Sequence, residues 1–323
     1  MVRRCQKGEF HVGDRVVYCE IDSLLPERDE FEFLRASCFK PAITDGDREI
    51  RRAGFRIKTV KLRGQVSQGI CFPLEILPPA APQQEGADVT EQLGIEKYEP
   101  PIPAGMTGRV KGGFPGFLTK TDETRVQLLE GALQRYRGKT FCVTEKVDGT
   151  SLTVFLRDGQ FGICSRNQWL DESDDGNALI RLSRELKLEQ GLKQIQTNCG
   201  FQPAIQGEVI GPGVQKNKYR LTAHALCVFN VFNIEEYRLV DHAQMLDVLD
   251  EVGLSSVPQL DSIVLNHTVD EFVELSKGVS VLNRKMQREG IVIRPPAEEH
   301  EPTIGGRLSF KVVNPNFLIK YDE

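Results

Sequence analysis

No stretch of this 323-residue chain approaches the run of about 18 apolar residues that a membrane-spanning helix needs, and no apolar segment follows Met1-Val2-Arg3-Arg4-Cys5-Gln6-Lys7 to act as a secretory signal. No membrane partner is expected. The eight cysteines, Cys5, Cys19, Cys38, Cys71, Cys142, Cys164, Cys199 and Cys227, include no C-x-x-C pair and fall mostly in apolar, strand-like runs. That usage points to a reduced, cytoplasmic protein. There is no internal repeat. A large excess of charge of one sign is also lacking: 41 Lys+Arg stand against 46 Asp+Glu, a net charge of -5, which argues against a general nucleic-acid binder held by bulk charge.

The charge is nevertheless uneven. Residues 1 to 80 carry 14 Lys+Arg and 12 Asp+Glu, leaving 27 and 34 for the rest. Within residues 48 to 63, Arg48, Arg51, Arg52, Arg56, Lys58, Lys61 and Arg63 oppose only Glu49. Such a stretch is either a surface for a phosphate backbone, with Arg56, Lys58, Lys61 and Arg63 as the contacts, or a solvated edge that blunts strand pairing.

Apolar periodicity divides the chain. Residues 10 to 25 alternate like a half-buried strand, and Phe55 to Leu62 and Gln68 to Leu74 supply further strands, so residues 1 to 80 read as a small β domain. The prolines at 78, 79, 82, 100, 101 and 103 and the glycines from 105 to 116 mark residues 81 to 117 as a largely irregular linker. From 118 to 323 strands and helices mix. A helix with Asp122 and Glu123 in its first turn is expected to carry Val126, Leu129 and Leu133 on one stripe. Strands follow at Phe141 to Val147, Ser151 to Arg157 and Phe161 to Ser165, with a turn at Asp158-Gly159. Later helices present Leu179, Leu182 and Leu186, then Met245, Leu246 and Leu249. The fold class is α+β, a β domain followed by a domain of mixed antiparallel sheets with flanking helices.

The chemistry concentrates in TEKVDGTSL, where Lys146 precedes Asp148-Gly149 at a strand end. A lysine there can serve as a covalent nucleophile, but with a reference pKa of about 10.4 only about one in a few thousand is neutral at pH 7. A divalent cation, a second lysine and partial burial would each depress it, and the first two also offset charge on a phosphoryl group. Asp148, Glu208 and Glu289 offer carboxylates for a metal or its waters, and Lys311 is the candidate second lysine.

Downstream, in order, stand Ser165-Arg166-Asn167, Gln206-Gly207-Glu208, Val228-Phe229-Asn230-Val231-Phe232, Glu289-Gly290-Ile291-Val292-Ile293-Arg294 and Ser309-Phe310-Lys311. With TEKVDGTSL, this ordered set resembles the covalent nucleotidyltransferase superfamily of ligases and capping enzymes, from about Phe141 to the end. Thr150-Ser151 after the motif glycine, in place of an arginine, is similar to the ATP-dependent RNA ligases of the clade with an N-terminal OB module. GEFHVGDRVVYCEIDSLLPE, RIKTVKLRGQVSQGI and LGIEKYEPPIP resemble that module. Relatives have one more strand ahead of it, so the chain is expected to start about twenty residues late, with an OB barrel lacking its first strand.

The resemblance implies ATP and Mg2+ or Mn2+ as cofactors and RNA 5′-phosphate and 3′-hydroxyl ends, such as those at a nick, as substrate. Lys146 would take AMP, and Asp148 and Arg166 with Asn167 would meet the ribose side. Phe229 would stack on adenine opposite Ile291 or Ile293, with Thr144 and Glu145 nearby. Glu208 and Glu289 would hold the ribose or a hydrated metal, and Lys311 the α-phosphate. Many relatives have Lys-x-Lys where this chain has Lys311-Val312-Val313, so Lys320 is the remaining source of a second cation. Lys216 and Lys218 either reach RNA phosphates or sit in a solvated loop. Phe229 is alternatively simple core and Arg166 a surface charge. The implied activity is RNA joining through a lysyl-AMP enzyme, in RNA repair. The alternatives are a DNA ligase or capping nucleotidyltransferase, disfavoured by Ser151 and by a chain that ends soon after Lys311, and an inactive OB-containing RNA-binding protein.

Overall fold

The computed structural model describes residues 2–4, 9–45, 48–62, 65–98 and 108–321. The chain forms two compact units, Met1–Pro101 with Leu318–Glu323, and Ile102–Phe317.

In the first unit the long strand Gln65–Phe72 gathers Val2–Arg4, Val17–Glu20 and Val60–Leu62 into one four-stranded sheet, and a second joins Glu96–Lys97, Ser23–Leu25, Gly54–Arg56 and Phe39–Lys40. Val17, Cys19, Leu25, Phe31, Phe55, Ile70 and Phe72 fill the core between them. The alternation expected over residues 10 to 25 is realised as two short strands, because Asp22 turns the chain in the left-handed region with φ +64°. The connector is less irregular than its composition implies. It holds a helical turn, Thr90–Leu93, closed by Gly94 at φ +62°, and the strand Val110–Gly113, which pairs with Gln168–Leu170.

The second unit is built on two sheets. The seven-stranded one runs Val110–Gly113, Gln168–Leu170, Gln160–Cys164, Thr150–Arg157, Pro203–Ile210, Ala225–Asn233 and Arg238–Leu239. Leu152, Val154, Ile205, Val209 and Val228 cover one face, against Leu179, Leu182, Leu192 and Met245 of the flanking helices. Asp158 and Gly159, with φ +50° and +76°, supply the tight hairpin turn between Thr150–Arg157 and Gln160–Cys164. Asn177 caps the helix Ala178–Glu185 by accepting the Leu179 amide at 2.9 Å. Leu186 lies just beyond that helix and is exposed.

The five-stranded sheet runs Thr124–Arg125, Phe310–Val313, Gly290–Arg294, Thr140–Lys146 and Gln259–Val264. Phe141, Val143, Ile291, Ile293, Phe310 and Val312 form its outer face, packed on Phe272 and Leu133. The other faces of the two sheets meet across a cleft, bridged by Arg294, whose Nη1 donates to the Phe229 carbonyl oxygen at 2.8 Å and to Asn230 Oδ1 at 3.0 Å. The helix expected from Asp122 onward begins later, as a 3-10 turn at Val126–Leu128 and a helix at Glu130–Arg135. Asp122 and Glu123 serve other partners: Asp122 pairs with Arg166, and Glu123 lies 3.8 Å from Arg294. Among the described residues no helix is long and apolar enough to cross a membrane. Six of the seven described cysteines are buried.

Candidate active site

Lys146 closes the strand Thr140–Lys146, and the chain then turns through Val147-Asp148-Gly149 into Thr150–Arg157. This turn lies directly on the strand that carries Glu208. A Cβ at Gly149 would fall 2.3 Å from the Val209 carbonyl oxygen and 2.9 Å from Glu208 Cγ, so only glycine allows the approach. The K-x-D-G spacing thus brings a lysine at one strand end over a carboxylate of the neighbouring sheet. At Gly290 a Cβ would meet the Val312 carbonyl oxygen at 2.2 Å, which sets the residue after Glu289 equally firmly.

Lys146 Nζ donates to Glu289 Oε1 at 2.5 Å, the two side chains being 26 % and 13 % exposed. Burial pulls the Lys146 ammonium down, but Glu289, with Glu208 and Asp148 behind it, more than reverses this and holds it above its ordinary value. A nucleophilic lysine needs a depressed pKa, and in this arrangement the carboxylates do the opposite. Burial pushes the Glu208 carboxyl up to about 8, with the Glu289 and Asp148 charges adding to it and Lys146 opposing. Glu289 Oε2 is buried and has no hydrogen-bond partner. Asp148 accepts from Lys218 Nζ at 2.7 Å, and its amide donates to the Tyr219 hydroxyl oxygen at 2.8 Å. Lys218, expected at RNA phosphates, is therefore a buried partner of Asp148, 5 % exposed, while Lys216 is exposed. The physical reason is that an aspartate withdrawn from water needs a counter-charge, and Lys218 supplies it.

Strand register decides which residues share the cleft face. Thr144 pairs with Val292 and Val292 with Lys311, while Lys146 pairs with Gly290. Because directly opposed residues point to the same side, Thr144, Lys146, Val292, Arg294 and Lys311 form one face. Thr144 is buried, and its hydroxyl donates to the Val292 carbonyl oxygen at 3.4 Å. Ile291 and Ile293, expected against adenine, fall on the other face and are wholly buried in the outer core. Val292 takes their place on the cleft side. Glu145, expected at the adenine edge, is 1 % exposed and its Oε2 accepts the Val281 amide at 2.8 Å. Burial raises its pKa.

Phe229 is half-buried among strand neighbours that are fully buried, and the register shifts beside it, pairing Gln206 with Asn230 and Gly207 with Val228. That irregularity turns the ring out of the regular alternation. Its carbonyl is held by Arg294. Arg307 joins on Asn230 Oδ1 at 2.7 Å, and Asn230 Nδ2 donates to Gln206 Oε1 at 2.9 Å. Burial, with the neighbouring Arg307 charge, lowers Arg294 to about 10. Arg294 was legible as the last residue of its motif, but its partner strand was not.

Arg166 Nη2 donates to Asp122 Oδ1 at 2.8 Å with both side chains more than two-fifths exposed. Lys120 Nζ donates to Asn167 Oδ1 at 3.3 Å. Lys320 lies in the last helix, Pro315–Tyr321, exposed, with its Nζ 5.4 Å from the Tyr321 ring centroid.

Residues 139–313 match the RNA ligase family model. The chain belongs to the RNA ligase family. Residues 3–74 match an OB-fold domain model. Among solved structures, a mutant of Naegleria gruberi RNA ligase with ATP and Mn aligns at 34 % identity and a TM-score of 0.85, over 99 % of this chain and 90 % of that one. The same ligase with PPi aligns at 34 % and 0.84, over 98 % and 90 %. Another mutant of it with AMP and Mn aligns at 34 % and 0.84, over 97 % and 89 %. None of the curated proteins matches.

In the OB-fold part of this ligase three of the seven cations of the basic stretch, Arg51, Arg52 and Arg56, are committed internally. Arg56 pairs with Asp22 at 2.9 Å, is 13 % exposed, and lies 4.4 Å from the Tyr98 ring centroid. It was expected on RNA, but a guanidinium drawn in over a ring is held by its carboxylate partner. Arg51 also lies over Tyr98, at 4.9 Å, and donates to the Pro41 carbonyl oxygen, while Arg52 pairs with Glu96 at 3.1 Å. Lys58 is half-buried and Lys61 exposed; Arg63 lies outside the described residues.

Proposed function

We propose that the chain joins RNA ends through a covalent lysyl-AMP at Lys146, using ATP and a divalent metal. The observation that carries this is Lys146 Nζ held among Glu289, Glu208 and Asp148, with the second oxygen of Glu289 buried and unpartnered. A buried carboxylate oxygen without a donor is suited to a cation or its waters. Among the described residues no three His, Cys, Asp or Glu groups are close enough to wrap an ion directly. Glu208 and Glu289 would hold Mg2+ or Mn2+, with Asp148 beside them, and such an ion would supply charge neutralisation at the phosphates. Burial favours loss of the Lys146 proton and the three carboxylates oppose it, an opposition that a cation held by them would weaken. Lys146 Nζ then forms a bond to the α-phosphorus of ATP, and pyrophosphate leaves.

Lys311, on the same face as Lys146, is suited to the α-phosphate. Phe229 and Val292 would sandwich the adenine, and Arg166 and Asn167 would lie on the ribose side. AMP would pass to an RNA 5′-phosphate, and a 3′-hydroxyl would attack with AMP leaving, as at a nick in a damaged RNA. Residues from 118 onward would carry the chemistry, and the part up to about 80 would grip RNA with Lys58 and Lys61. Lys216 remains a candidate for RNA phosphates, and Lys320 for a second cation. The absence of a C-x-x-C pair and the placing of the cysteines in apolar runs support a cytoplasmic setting.

The test is incubation with α-labelled ATP or GTP and a divalent metal, followed by a denaturing gel. Label from ATP alone is expected, lost in Lys146→Ala and in Lys146→Arg, whose guanidinium stays protonated. Undiminished label in either variant refutes the assignment. A paired assay with RNA and DNA 3′-hydroxyl strands is expected to favour RNA, and equal sealing would indicate a DNA ligase.

A further inference from the structure

The loop that follows the Glu208 strand folds back onto the turn that follows Lys146. It makes three hydrogen bonds there. Gln215 Nε2 donates to the Gly149 carbonyl oxygen at 3.3 Å, Lys218 Nζ donates to Asp148 Oδ2 at 2.7 Å, and the Asp148 amide donates to the Tyr219 hydroxyl oxygen at 2.8 Å. Lys218 and Asp148 are 5 % and 7 % exposed, and the Lys218 ammonium also lies 5.0 Å from the Phe317 ring centroid. Asn283 Nδ2 donates to the carbonyl oxygens of Lys218 and Tyr219, at 3.3 and 3.4 Å.

The backbone of this loop is unusual. Gln215, Lys216 and Asn217 take φ +43°, +59° and +48°, and Arg220 +58°. Side-chain-bearing residues avoid this region, so three in succession persist only where surrounding contacts outweigh the strain. A merely solvated loop would relax. Here the strained segment ends in a lysine and a tyrosine that both engage Asp148, two residues from Lys146. Withdrawing a lysine and an aspartate from water is unfavourable unless each meets a partner, and the chain directs both to this one turn.

We propose that Lys218 is a positioning residue for self-adenylylation: through its ion pair it fixes Asp148, and so the turn from which Lys146 projects, without touching the nucleotide. The proposal rests on the reading of Lys146 as the nucleophile. It also moves Lys218 from the RNA-binding set into the support of the reacting centre.

The test uses the full chain and α-labelled ATP with a divalent metal, in single turnover at saturating ATP, at a temperature where every variant is folded. Lys218→Met keeps the stem over Phe317 and removes the charge. It is expected to slow Lys146 labelling by about a hundredfold, the scale of a small misplacement of reacting groups, with the ATP concentration for half-maximal rate changed less than about threefold. Lys218→Arg is expected to recover most of the rate. If Lys218 acts through Asp148, Lys218→Met combined with Asp148→Asn is no slower than Asp148→Asn alone. A second readout needs no ATP: the ligand-free melting temperature is expected to fall in Lys218→Met, which leaves the buried Asp148 charge without its lysine, and to rise again in that double variant, where the Asp148 charge is gone.

A Lys218→Met rate within twofold of wild type overturns the proposal. So does a rate lost equally in Lys218→Arg, or a double variant whose losses simply multiply. These failures are distinct from failure of the nucleophile assignment, which would appear as label surviving Lys146→Ala.

Discussion

Val292 and Ile291 are neighbours on one strand, and the register predicts opposite consequences for truncating them. Ile291 is fully buried in the outer core with Phe141, Val143 and Phe310. Ile291→Ala leaves a cavity in that layer and is expected to cost about 2–5 kcal/mol of stability. Since it faces away from Lys146, its effect on nucleotide use in the folded protein is expected to be small. Val292 is 8 % exposed, shares a face with Lys146 and Lys311, and lies outside that core cluster. Val292→Ala removes two methyl groups, about 1.6 kcal/mol of apolar contact at about 0.8 kcal/mol per group. If that contact is made with adenine, the ATP concentration for half-maximal adenylylation rises about tenfold to fifteenfold. Urea unfolding and initial rates of Lys146 labelling against ATP concentration measure the two effects separately. An Ile291→Ala protein of native stability with poor ATP use, beside a Val292→Ala protein with normal ATP use, would refute the face assignment.

Glu289→Ala and Lys311→Ala are each expected to lower the adenylylation rate by about two orders of magnitude, because both groups act on charge that develops at the phosphates. A near-normal rate in Lys311→Ala together with an inactive Lys320→Ala would transfer the second-lysine role to Lys320. In the OB-fold part, Lys58→Ala with Lys61→Ala is expected to weaken RNA sealing and flatten its salt dependence while sparing reaction with ATP. Arg56→Ala is instead expected to lower the melting temperature, since it removes the ion pair to Asp22 and the guanidinium lying over Tyr98; an unchanged melting temperature would return Arg56 to the RNA surface. Hydrogen bonds from Thr303, with Tyr136 and Arg135, hold the Glu301 carboxyl down at about 2. A depressed carboxyl adds stability above its unfolded pKa of about 4.3, which is lost as pH falls from there towards 2. The urea midpoint of wild type is therefore expected to fall more steeply than that of Glu301→Gln between pH 5 and pH 2, and parallel curves would contradict this.

Much of the site was legible as ordered local motifs. Lys146, Asp148 and Gly149 are contiguous, and the turn they make depends on residue type alone: a glycine where no Cβ fits, a lysine at the strand end. The helices His242–Glu251 and Ala178–Glu185 followed from their 3.6-residue apolar spacing, and the Thr150–Cys164 hairpin from Asp158-Gly159. The start of the helix carrying Leu133 was misjudged because Asp122 and Glu123 mimic a first turn, whereas their partners Arg166 and Arg294 lie far along the chain.

The sequence by itself determined which chemical groups the molecule has and their order: one lysine at a strand end, three acids, a later lysine, and a β module ahead of them. Only the tertiary structure decided which way they face and what they meet. In Gly290–Arg294 every residue is buried, so there is no polar alternation from which to read the phase, and pairing with Thr140–Lys146 had to choose Val292 over Ile291 and Ile293. The fate of each cation was likewise non-local. Arg56 and Lys218 look in sequence like surface charges, but Asp22 and Asp148, 34 and 70 residues away, draw them inward, because a carboxylate withdrawn from water, partly for Asp22 and almost wholly for Asp148, is stabilised where folding delivers an opposite charge.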